Sequence, residues 1–146
     1  MLAIASDHGG FALKQEIMIH LKDIGVEFED LGTYSEESVD YPVYAHKLGK
    51  AVGAGEYERG ILICGTGIGI SIAANKIHGI RCALCSDCYS AEMSRRHNNA
   101  NVLAMGGRTL GAELAKKIVD TFLGTGFEGG RHQRRVDLIM ALESEQ

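Results

Sequence analysis

The sequence lacks two features that large classes of protein require, a long apolar run and an excess of positive charge. Across its 146 residues no stretch approaches the roughly 20 apolar residues of a membrane-spanning helix, and Asp7 interrupts the apolar start too early for a signal peptide. The formal net charge of -4 argues against a general nucleic-acid binder, because DNA and RNA attract basic surfaces. We therefore expect a cytoplasmic protein that binds neither membranes nor nucleic acids.

No disulfide framework is evident in the four cysteines, which fit a reducing compartment where thiols stay free. Cys82, Cys85 and Cys88 have a C-x-x-C-x-x-C spacing that resembles part of an iron–sulfur or zinc site. However, Cys82 falls within a predicted buried strand, and no fourth ligand of the C-P type follows. We interpret the three as packed thiols and expect no metal.

Short apolar segments alternate with segments of helical periodicity along the chain. Such alternation predicts a parallel sheet with helices on both faces, joined by right-handed crossovers. The expected fold class is α/β, and the alternation fits a Rossmann-like or a flavodoxin-like fold. We expect a Rossmann-like three-layer sandwich with a five-stranded parallel sheet. The predicted strands cover residues 2–6, 26–31, 60–64, 80–84 and 102–105, and the predicted helices cover 11–24, 41–52, 89–97 and 110–123, with a further helix after Gly69.

The tail does not continue this alternation. Glycines at positions 124, 126, 129 and 130 predict a flexible connector, and a last helix then begins at Arg131 with apolar residues on one side. We expect a single domain over 1–146, with an α/β core over 1–123 and a tethered C-terminal helix over 124–146 that extends to a partner subunit.

The stretch from Gly60 to Lys76 reads GILICGTGIGISIAANK and predicts a strand, a glycine loop and a helix. The glycines at 65, 67 and 69 allow backbone N–H groups to converge, and the helix start adds further donors, so the loop is suited to an anion. These donors favour a thiolate at Cys64 and place a base or nucleophile beside an oxyanion hole. The loop lacks the third glycine of the dinucleotide fingerprint and the Lys-Ser/Thr pair of a P-loop. On the loop alone, a tight turn around a buried cysteine explains the pattern equally well.

Further polar residues follow other predicted strands. Because the carboxyl ends of parallel strands form one rim, this position selects Asp7-His8, Ser86-Asp87 and Gly106-Gly107-Arg108 together with the Cys64 loop. A rim of this composition could bind a charged small molecule.

His97 and Asn98 lie at a predicted helix end, where polar residues that tolerate left-handed geometry often end a helix. The functional alternative is an imidazole and an amide that move protons or hold hydroxyls. A similar choice concerns the arginines, which are either solvated surface charge or a bidentate phosphate site. Those arginines are Arg108, Arg131, Arg134 and Arg135.

Five segments of the chain together resemble the type B ribose-5-phosphate isomerases, a family that also includes galactose-6-phosphate isomerase subunits and allose-6-phosphate isomerases. The resemblance spans nearly the whole chain, from Asp7 to about Ile139. The segments are DHG, DYP, ILICGTGIGISIAANK, SRRHNNANVLAMGGR and EGGRHQRRVDLI, which begin at residues 7, 40, 61, 94 and 128.

The resemblance implies a homodimer, or a dimer of dimers, with active sites shared between subunits and with no metal or organic cofactor. It implies that ribose 5-phosphate and ribulose 5-phosphate interconvert through a cis-enediolate, with Cys64 as the base. Backbone N–H groups of Gly65, Gly67 and Gly69 would hold the enediolate oxygens. The Thr66 hydroxyl would assist at an oxygen or in ring opening.

The resemblance assigns His97 to opening of the furanose ring. The residues that it implies for sugar hydroxyls are Asp7, Tyr41 and Asn98, and those for the phosphate are His8, Arg108, Arg131 and Arg135. The phosphate-binding arginines of the tail would come from the neighbouring subunit. The sequence does not decide whether His132 or Arg134 also reaches the site, because the helical turn sets which one faces it.

One branch of the family has glycine in place of the cysteine and uses a glutamate a few residues later as the base. Ile70 occupies that place here, so the chain resembles the cysteine branch, and Asn99, where many relatives carry Asp, is a minor departure. A hexose-phosphate isomerase and a non-catalytic sugar-phosphate sensor remain as alternatives. An intact set of Cys64, Thr66 and His97 argues against the sensor, since binding alone needs neither a thiolate nor a proton shuttle.

Overall fold

The computed structural model describes residues 1–145 and contains a five-stranded sheet flanked by helices. The strands are β1 (Leu2–Ser6), β2 (Phe28–Asp30), β3 (Arg59–Cys64), β4 (Cys82–Leu84) and β5 (Val102–Gly106). The helices are α1 (Phe11–Asp23), α2 (Tyr41–Gly53), α3 (Ile68–Ala74), α4 (Cys88–Arg96), α5 (Ala112–Gly124) and α6 (Arg131–Ala141). His8–Gly10 and Leu142–Glu145 form short 3-10 helices. Within residues 1–145, every helix is too short or too polar to cross a membrane.

All strand pairs are parallel, and the strand order is β2-β1-β3-β5-β4, which confirms the predicted fold class. The two edge strands are shorter than expected. Residues 26–31 and 80–84 were each expected to be strand throughout, whereas β2 and β4 have three residues each. An edge strand pairs on one side only, so fewer backbone hydrogen bonds hold its ends in the sheet.

The central strands are continuous apolar runs because helices cover both faces of the sheet. All five residues of β1 and of β5 are buried. Ile4 and Ile61 belong to the core on the face covered by α1, α4 and α5. Ala3 and Leu62 belong to the core on the opposite face, which α2 and α3 cover. The chain is therefore a three-layer sandwich with one core on each face.

The register brings the carboxyl ends of the central strands to one edge. Ser6 of β1 lies beside Ile63 of β3, and Cys64 of β3 lies beside Gly106 of β5. From β1 the chain proceeds outward to β2, and from β3 it proceeds outward to the other side of the sheet. The loops after β1 and β3 thus diverge at a topological switch point, the usual position of a ligand crevice in open α/β sheets.

The C-terminal helix α6 lies beside the end of α4, since the backbone N–H of Glu128 donates to the carbonyl of Arg96 at 3.0 Å. Val136 on α6 is buried, but much of the apolar side faces outward. The exposed apolar residues of this segment are Leu138, Ile139 and Leu142, with 57%, 44% and 52% of their surfaces exposed. The structure thus leaves an apolar strip of the tail uncovered within one chain.

The close packing of the β1 loop on β3 gives a test at Gly10. A Cβ at Gly10 would lie 2.3 Å from the carbonyl oxygen of Ile63, so we expect Gly10→Ala to destabilise the fold. The expected loss is about 1–3 kcal/mol of unfolding free energy, the usual range for overpacking, measured by denaturant titration. Gly111→Ala is the matched control, because a Cβ there meets no atom within 4 Å. Equal stability of the two variants would contradict the packing argument.

Candidate active site

Three loops meet backbone to backbone at the carboxyl edge of the sheet. The N–H of Gly107 donates to the carbonyl of Cys64 at 2.8 Å, and the N–H of Arg108 donates to the carbonyl of Gly65 at 2.9 Å. A Cβ at Gly107 would lie 2.6 Å from the carbonyl oxygen of Gly9, and a Cβ at Gly9 would lie 3.1 Å from the nitrogen of Gly65. Side chains would separate these loops. Glycine is therefore required for the contact that fixes the position of Cys64.

Cys64 ends β3 and is 4% exposed. Its Sγ accepts a hydrogen bond from the N–H of Gly67 at 3.1 Å. Gly67 is the N-cap of α3 and has a φ of 79°, in the left-handed region that favours glycine. The sequence therefore turns at Gly67 in a way that aims a backbone donor at the sulfur. A hydrogen bond donated to sulfur stabilises the thiolate relative to the thiol.

The donors of the glycine loop differ from the arrangement that the resemblance implies. In this structure the N–H of Gly67 is directed to the sulfur, and the N–H of Ile68 donates to the Thr66 hydroxyl at 3.2 Å. The helix α3 has seven residues and ends at Ala74, whereas the sequence segment that predicts it continues to Lys76. A helix this short has a small dipole. The local N–H groups, more than a long helix, set the electrostatics around Cys64.

Tyr41 packs directly against this loop. It is the first residue of α2, where Pro42 stabilises the first turn, as the sequence predicts. A Cβ at Gly69 would lie 2.5 Å from the ring carbon Cζ of Tyr41 and 2.8 Å from its hydroxyl oxygen. The absence of a side chain at Gly69 therefore allows the phenol of Tyr41 to pack against the loop.

The loop after β1 contributes Asp7 and His8. Asp7 is 6% exposed, and its Oδ1 accepts from the N–H of Gly10 at 3.1 Å, which caps the following 3-10 turn. His8 Nδ1 accepts from the N–H of Val39 at 3.1 Å. The guanidinium of Arg108 lies close to the glycine loop, since a Cβ at Gly65 would be 3.2 Å from its Nη1. These side chains share one rim with Cys64.

We call the residues of this rim the Cys64 group. They are Asp7, His8, Tyr41, Cys64, Gly65, Thr66, Gly67, Gly69 and Arg108. Of the other residues that the rim was expected to include, Asp87 acts as a helix cap, because its carboxylate accepts from the N–H of Ser90 at 2.7 Å. That hydrogen bond lowers the pKa of Asp87. The carboxylate of Asp87 is thus used to cap α4.

The remaining predicted residues lie at the opposite edge of the sheet, and we call them the His97 group. They are His97, Asn98, Arg131, His132 and Arg135. The carbonyl of Asn101 accepts from the N–H of Gly60 at 2.9 Å, which places the segment after α4 at the amino ends of the strands. The length of β3, about 17 Å at 3.3 Å per residue, separates the two edges. One chain therefore does not bring His97 and Cys64 together.

His132 is the member of the tail that faces His97. The two imidazole rings stack with centroids 4.2 Å apart and an interplanar angle of 14°. His132 is 6% exposed, and its Nε2 lies 3.5 Å from Glu128 Oε1, whereas Arg134 is exposed to solvent. His132 shares one side of α6 with Val136, four residues later, and this spacing is the sequence signal that favours it over Arg134.

The His97 group brings two imidazoles and a carboxylate close together. Ligand atoms of His97, Glu128 and His132 lie within 4.8 Å of one another. Burial, more than the neighbouring charges, lowers the pKa of His132. The two arginines of this group, Arg131 and Arg135, supply guanidinium groups of the kind that bind a phosphate.

The three clustered cysteines are packed thiols, as the sequence indicates. Cys82 packs against the core beneath α2 and α3, whereas Cys85 and Cys88 belong to the core on the opposite face. The sheet therefore separates the first thiol from the other two. Burial raises the pKa of Cys82 to about 12 and that of Cys85 to about 11.

Two site-related residues are not evident from motifs. Lys14 is buried beside the loop that contacts His8, and Val39 contributes only its backbone N–H. Lys14 lies three residues before Ile17 and seven before Leu21, within the apolar stripe of α1, so its position in that stripe is a detectable signal. A backbone donor such as Val39 leaves no signal in the side-chain pattern.

Comparisons with known proteins give a consistent result. The family model described as Ribose/Galactose Isomerase matches residues 2–139. The chain is 57% identical to ribose-5-phosphate isomerase B of Escherichia coli, over 99% of this chain and 97% of the relative. It is 42% identical to a D-erythrulose-4-phosphate isomerase of Pectobacterium atrosepticum, over 99% of this chain and 96% of the relative. A solved structure of Clostridium thermocellum ribose-5-phosphate isomerase B has a TM-score of 0.97 at 55% identity, over 99% of this chain and 97% of that chain.

The raised pKa values of Cys82 and Cys85 predict slow alkylation. With pKa values of about 12 and 11, both remain thiols at pH 8. Since the thiolate is the nucleophile, we expect Cys85 to react with iodoacetamide about 200-fold, and Cys82 about 2,000-fold, more slowly than a free cysteine. Peptide mass spectrometry of the native chain measures the rates, and the chain unfolded in guanidinium is the control. Rapid labelling of Cys82 in the native chain would contradict the packed-thiol interpretation.

Proposed function

From the premise that the chain belongs to the ribose/galactose isomerase family, we infer that it is an aldose–ketose isomerase that interconverts D-ribose 5-phosphate and D-ribulose 5-phosphate. The observation that carries this function is the near-full-length likeness to relatives named ribose-5-phosphate isomerase B, at 57% identity in sequence and 55% in a solved structure. The reaction is a step of the non-oxidative pentose phosphate pathway. We place the enzyme in the cytoplasm, where phosphorylated sugars are metabolised.

Cys64 is the proposed base. Its thiolate takes the proton from carbon 2 of the open-chain aldose, which leaves a cis-enediolate and a thiol. The thiol then returns the proton to carbon 1, which forms the ketose and regenerates the thiolate. The hydrogen bond that Sγ accepts from the N–H of Gly67 supports this role, because it fixes the sulfur at the end of β3, beside the glycine loop.

The loop around Cys64 is the proposed enediolate site. Backbone N–H groups of Gly65 and Gly69 face charge that develops on the sugar oxygens, and one well-aimed donor of this kind contributes about 3–4 kcal/mol to the transition state. The exposed Thr66 hydroxyl assists the movement of the proton between the oxygens of carbons 1 and 2. These roles need no metal or organic cofactor. Asp7 and Tyr41 border the same rim and bind sugar hydroxyls.

We propose that the complete site forms between two subunits of a homodimer. The separation of the two groups by the length of β3 supports this assembly, since a single chain leaves each group incomplete. In the dimer, the Cys64 group of one subunit faces the His97 group of the other, and a two-fold axis creates two identical sites. His97 then opens the furanose ring, and Asn98 binds a hydroxyl.

Exposed apolar residues supply the surface for this dimer. Ile68 and Ile72 on α3 are 52% and 58% exposed, and the apolar strip of the tail is also uncovered. Isoleucines exposed next to a catalytic loop are typical of a surface that a partner covers. A measurement of particle mass in solution distinguishes one such dimer from a dimer of dimers.

The proposed phosphate site combines both groups. His8 and Arg108 come from the subunit of the reacting Cys64, and Arg131 and Arg135 come from the other. Guanidinium groups bind phosphate oxygens in a bidentate manner, which fixes the substrate at the end remote from the reacting carbons.

Other phosphorylated sugars are the second candidate substrates. The family description covers galactose isomerases, and one relative is named for a four-carbon substrate, so this fold accommodates sugars of different length. A coupled assay of ribose 5-phosphate beside allose 6-phosphate and galactose 6-phosphate, with and without a chelator, decides among them by kcat/KM. Binding of ribose 5-phosphate without turnover would instead indicate a sugar-phosphate sensor.

Replacement of the proposed base is the direct test of the mechanism. We expect Cys64→Ala to retain the fold but to reduce kcat by about 100- to 10,000-fold, the usual contribution of a positioned general base. Cys88→Ala is the matched control, because Cys88 is a thiol that packs against the core and has no role in the proposed mechanism, so its replacement should leave activity near normal. Near-normal turnover of Cys64→Ala would refute the assignment.

Mixed dimers test whether the site is shared. Cys64→Ala and His97→Asn subunits are each inactive alone, but a mixed dimer regains one site in which both residues are intact. After random reassociation of equal amounts, half of the dimers are mixed, so about a quarter of the wild-type activity should return. Refolding the two variants together, with each variant refolded alone as control, measures this recovery. No recovery in a verified mixed dimer would place both residues in the same chain's site.

A further inference from the structure

Lys14 has a fully buried side chain next to the rim of the Cys64 group. Its Nζ donates to Asp30 Oδ1 at 2.5 Å and to the carbonyl of Thr33 at 2.6 Å. The rings of Phe11 and Tyr34 lie with their centroids 5.6 Å and 5.4 Å from the same Nζ. A buried ammonium group requires such partners, and here every one of them belongs to α1, to the end of β2 or to the segment that follows β2.

The partners of Lys14 are the residues that anchor the segment after β2 to the end of β1. Asp30 Oδ1 also accepts from the N–H of Gly32 at 2.9 Å. Ser6 donates its N–H to the carbonyl of Gly32, and Thr33 donates its N–H to the carbonyl of Ser6, each at 2.8 Å. The loop 34–40 leaves from this anchored point, and most of its residues are exposed. Lys14 thus fixes the position from which the loop begins.

The far part of that loop contacts His8. The N–H of Val39 donates to His8 Nδ1 at 3.1 Å. A backbone N–H can only donate, so Nδ1 is the accepting nitrogen and the ring carries its proton on Nε2. His8 is half-buried at the rim that also carries Arg108, and it therefore presents an N–H donor there.

We propose that Lys14 is a positioning residue of the isomerase. It anchors Thr33 and with it the loop 34–40, so that the N–H of Val39 holds His8 in the tautomer that donates from Nε2 to the substrate phosphate. The proposal rests on the proposed function, which assigns the phosphate to His8. Desolvation lowers the pKa of Lys14, and the hydrogen bond to Asp30 partly offsets this effect. The residue acts through the loop and does not touch the substrate.

Variants at two positions test two separate contacts, the hydrogen bond from Val39 to His8 and the anchoring of the loop by Lys14. Val39→Pro removes the N–H that holds His8, in a part of the loop where neighbouring residues are exposed. Lys14→Met removes the anchoring charge but keeps a long apolar side chain, and Lys14→Met with Asp30→Asn provides a variant without an unpaired carboxylate, in case the single variant does not fold. Lys116→Met is the matched control, since Lys116 pairs with an exposed Glu113 of its own helix α5.

The first readout is the tautomer of His8, from long-range proton–nitrogen correlation spectra of protein with nitrogen-15 histidine. The wild type and Lys116→Met should show a single Nε2–H tautomer, whereas Val39→Pro and the Lys14 variants should show a mixture. The second readout is kinetic. Loss of the donor weakens binding of the remote phosphate equally in ground and transition states, so KM should rise about tenfold with kcat within about twofold.

An unchanged tautomer and KM in the folded Lys14 variants would overturn the proposal, as would an equal rise of KM in Lys116→Met. A tautomer change in Val39→Pro that is absent from the Lys14 variants would also overturn it, because Lys14 would then not hold the loop. If the wild type does not isomerise ribose 5-phosphate, the proposed function fails instead, and the spectra still decide whether Lys14 controls His8.

Discussion

The contact among three glycine-containing loops is the constraint on which the rest of the structure depends. The carboxyl ends of β1, β3 and β5 meet at one edge, and Gly9, Gly65 and Gly107 let their backbones touch there. This contact holds Cys64 between two neighbouring strands and sets the direction of the Gly67 N–H. The two packed cores beneath it stabilise the strands, but only the glycines allow the loops to approach closely enough to make a site.

The sequence predicts most of the fold because each element has a clear local signature. The central strands are apolar on both faces, and the helices after Gly10 and Asp40 begin where the predictions place them. The ends of β2 and β4 are less predictable, since edge strands are held by fewer hydrogen bonds than apolar composition suggests. Apolar patterns predict a strand correctly where the strand is both buried and paired on both sides. They overestimate its length where the strand lies at an edge of the sheet and pairs on one side only.

The site was only partly predictable for a different physical reason. A pattern along one chain identifies chemically suitable residues, and the rim of Cys64, Asp7 and Arg108 is indeed assembled in the structure. His97 lies at the other edge because a helix that follows a strand returns the chain to the amino end. The sequence does not state distances between edges, and a backbone donor such as the N–H of Val39 leaves no side-chain signal. The position of Lys14 in the apolar stripe of α1 indicates burial but not the partners of its ammonium group.

The distance between His97 and Cys64 has a consequence for how catalytic output depends on the amount of protein. If the site is shared as proposed, a single chain carries half of each of two sites and no complete site. Dissociation of the dimer therefore removes activity although each chain stays folded. Below the dissociation constant, mass action makes the concentration of working sites fall with the square of the subunit concentration. A compound that binds over Ile68 and Ile72 would then prevent dimer formation and inactivate the enzyme without entering the sugar pocket.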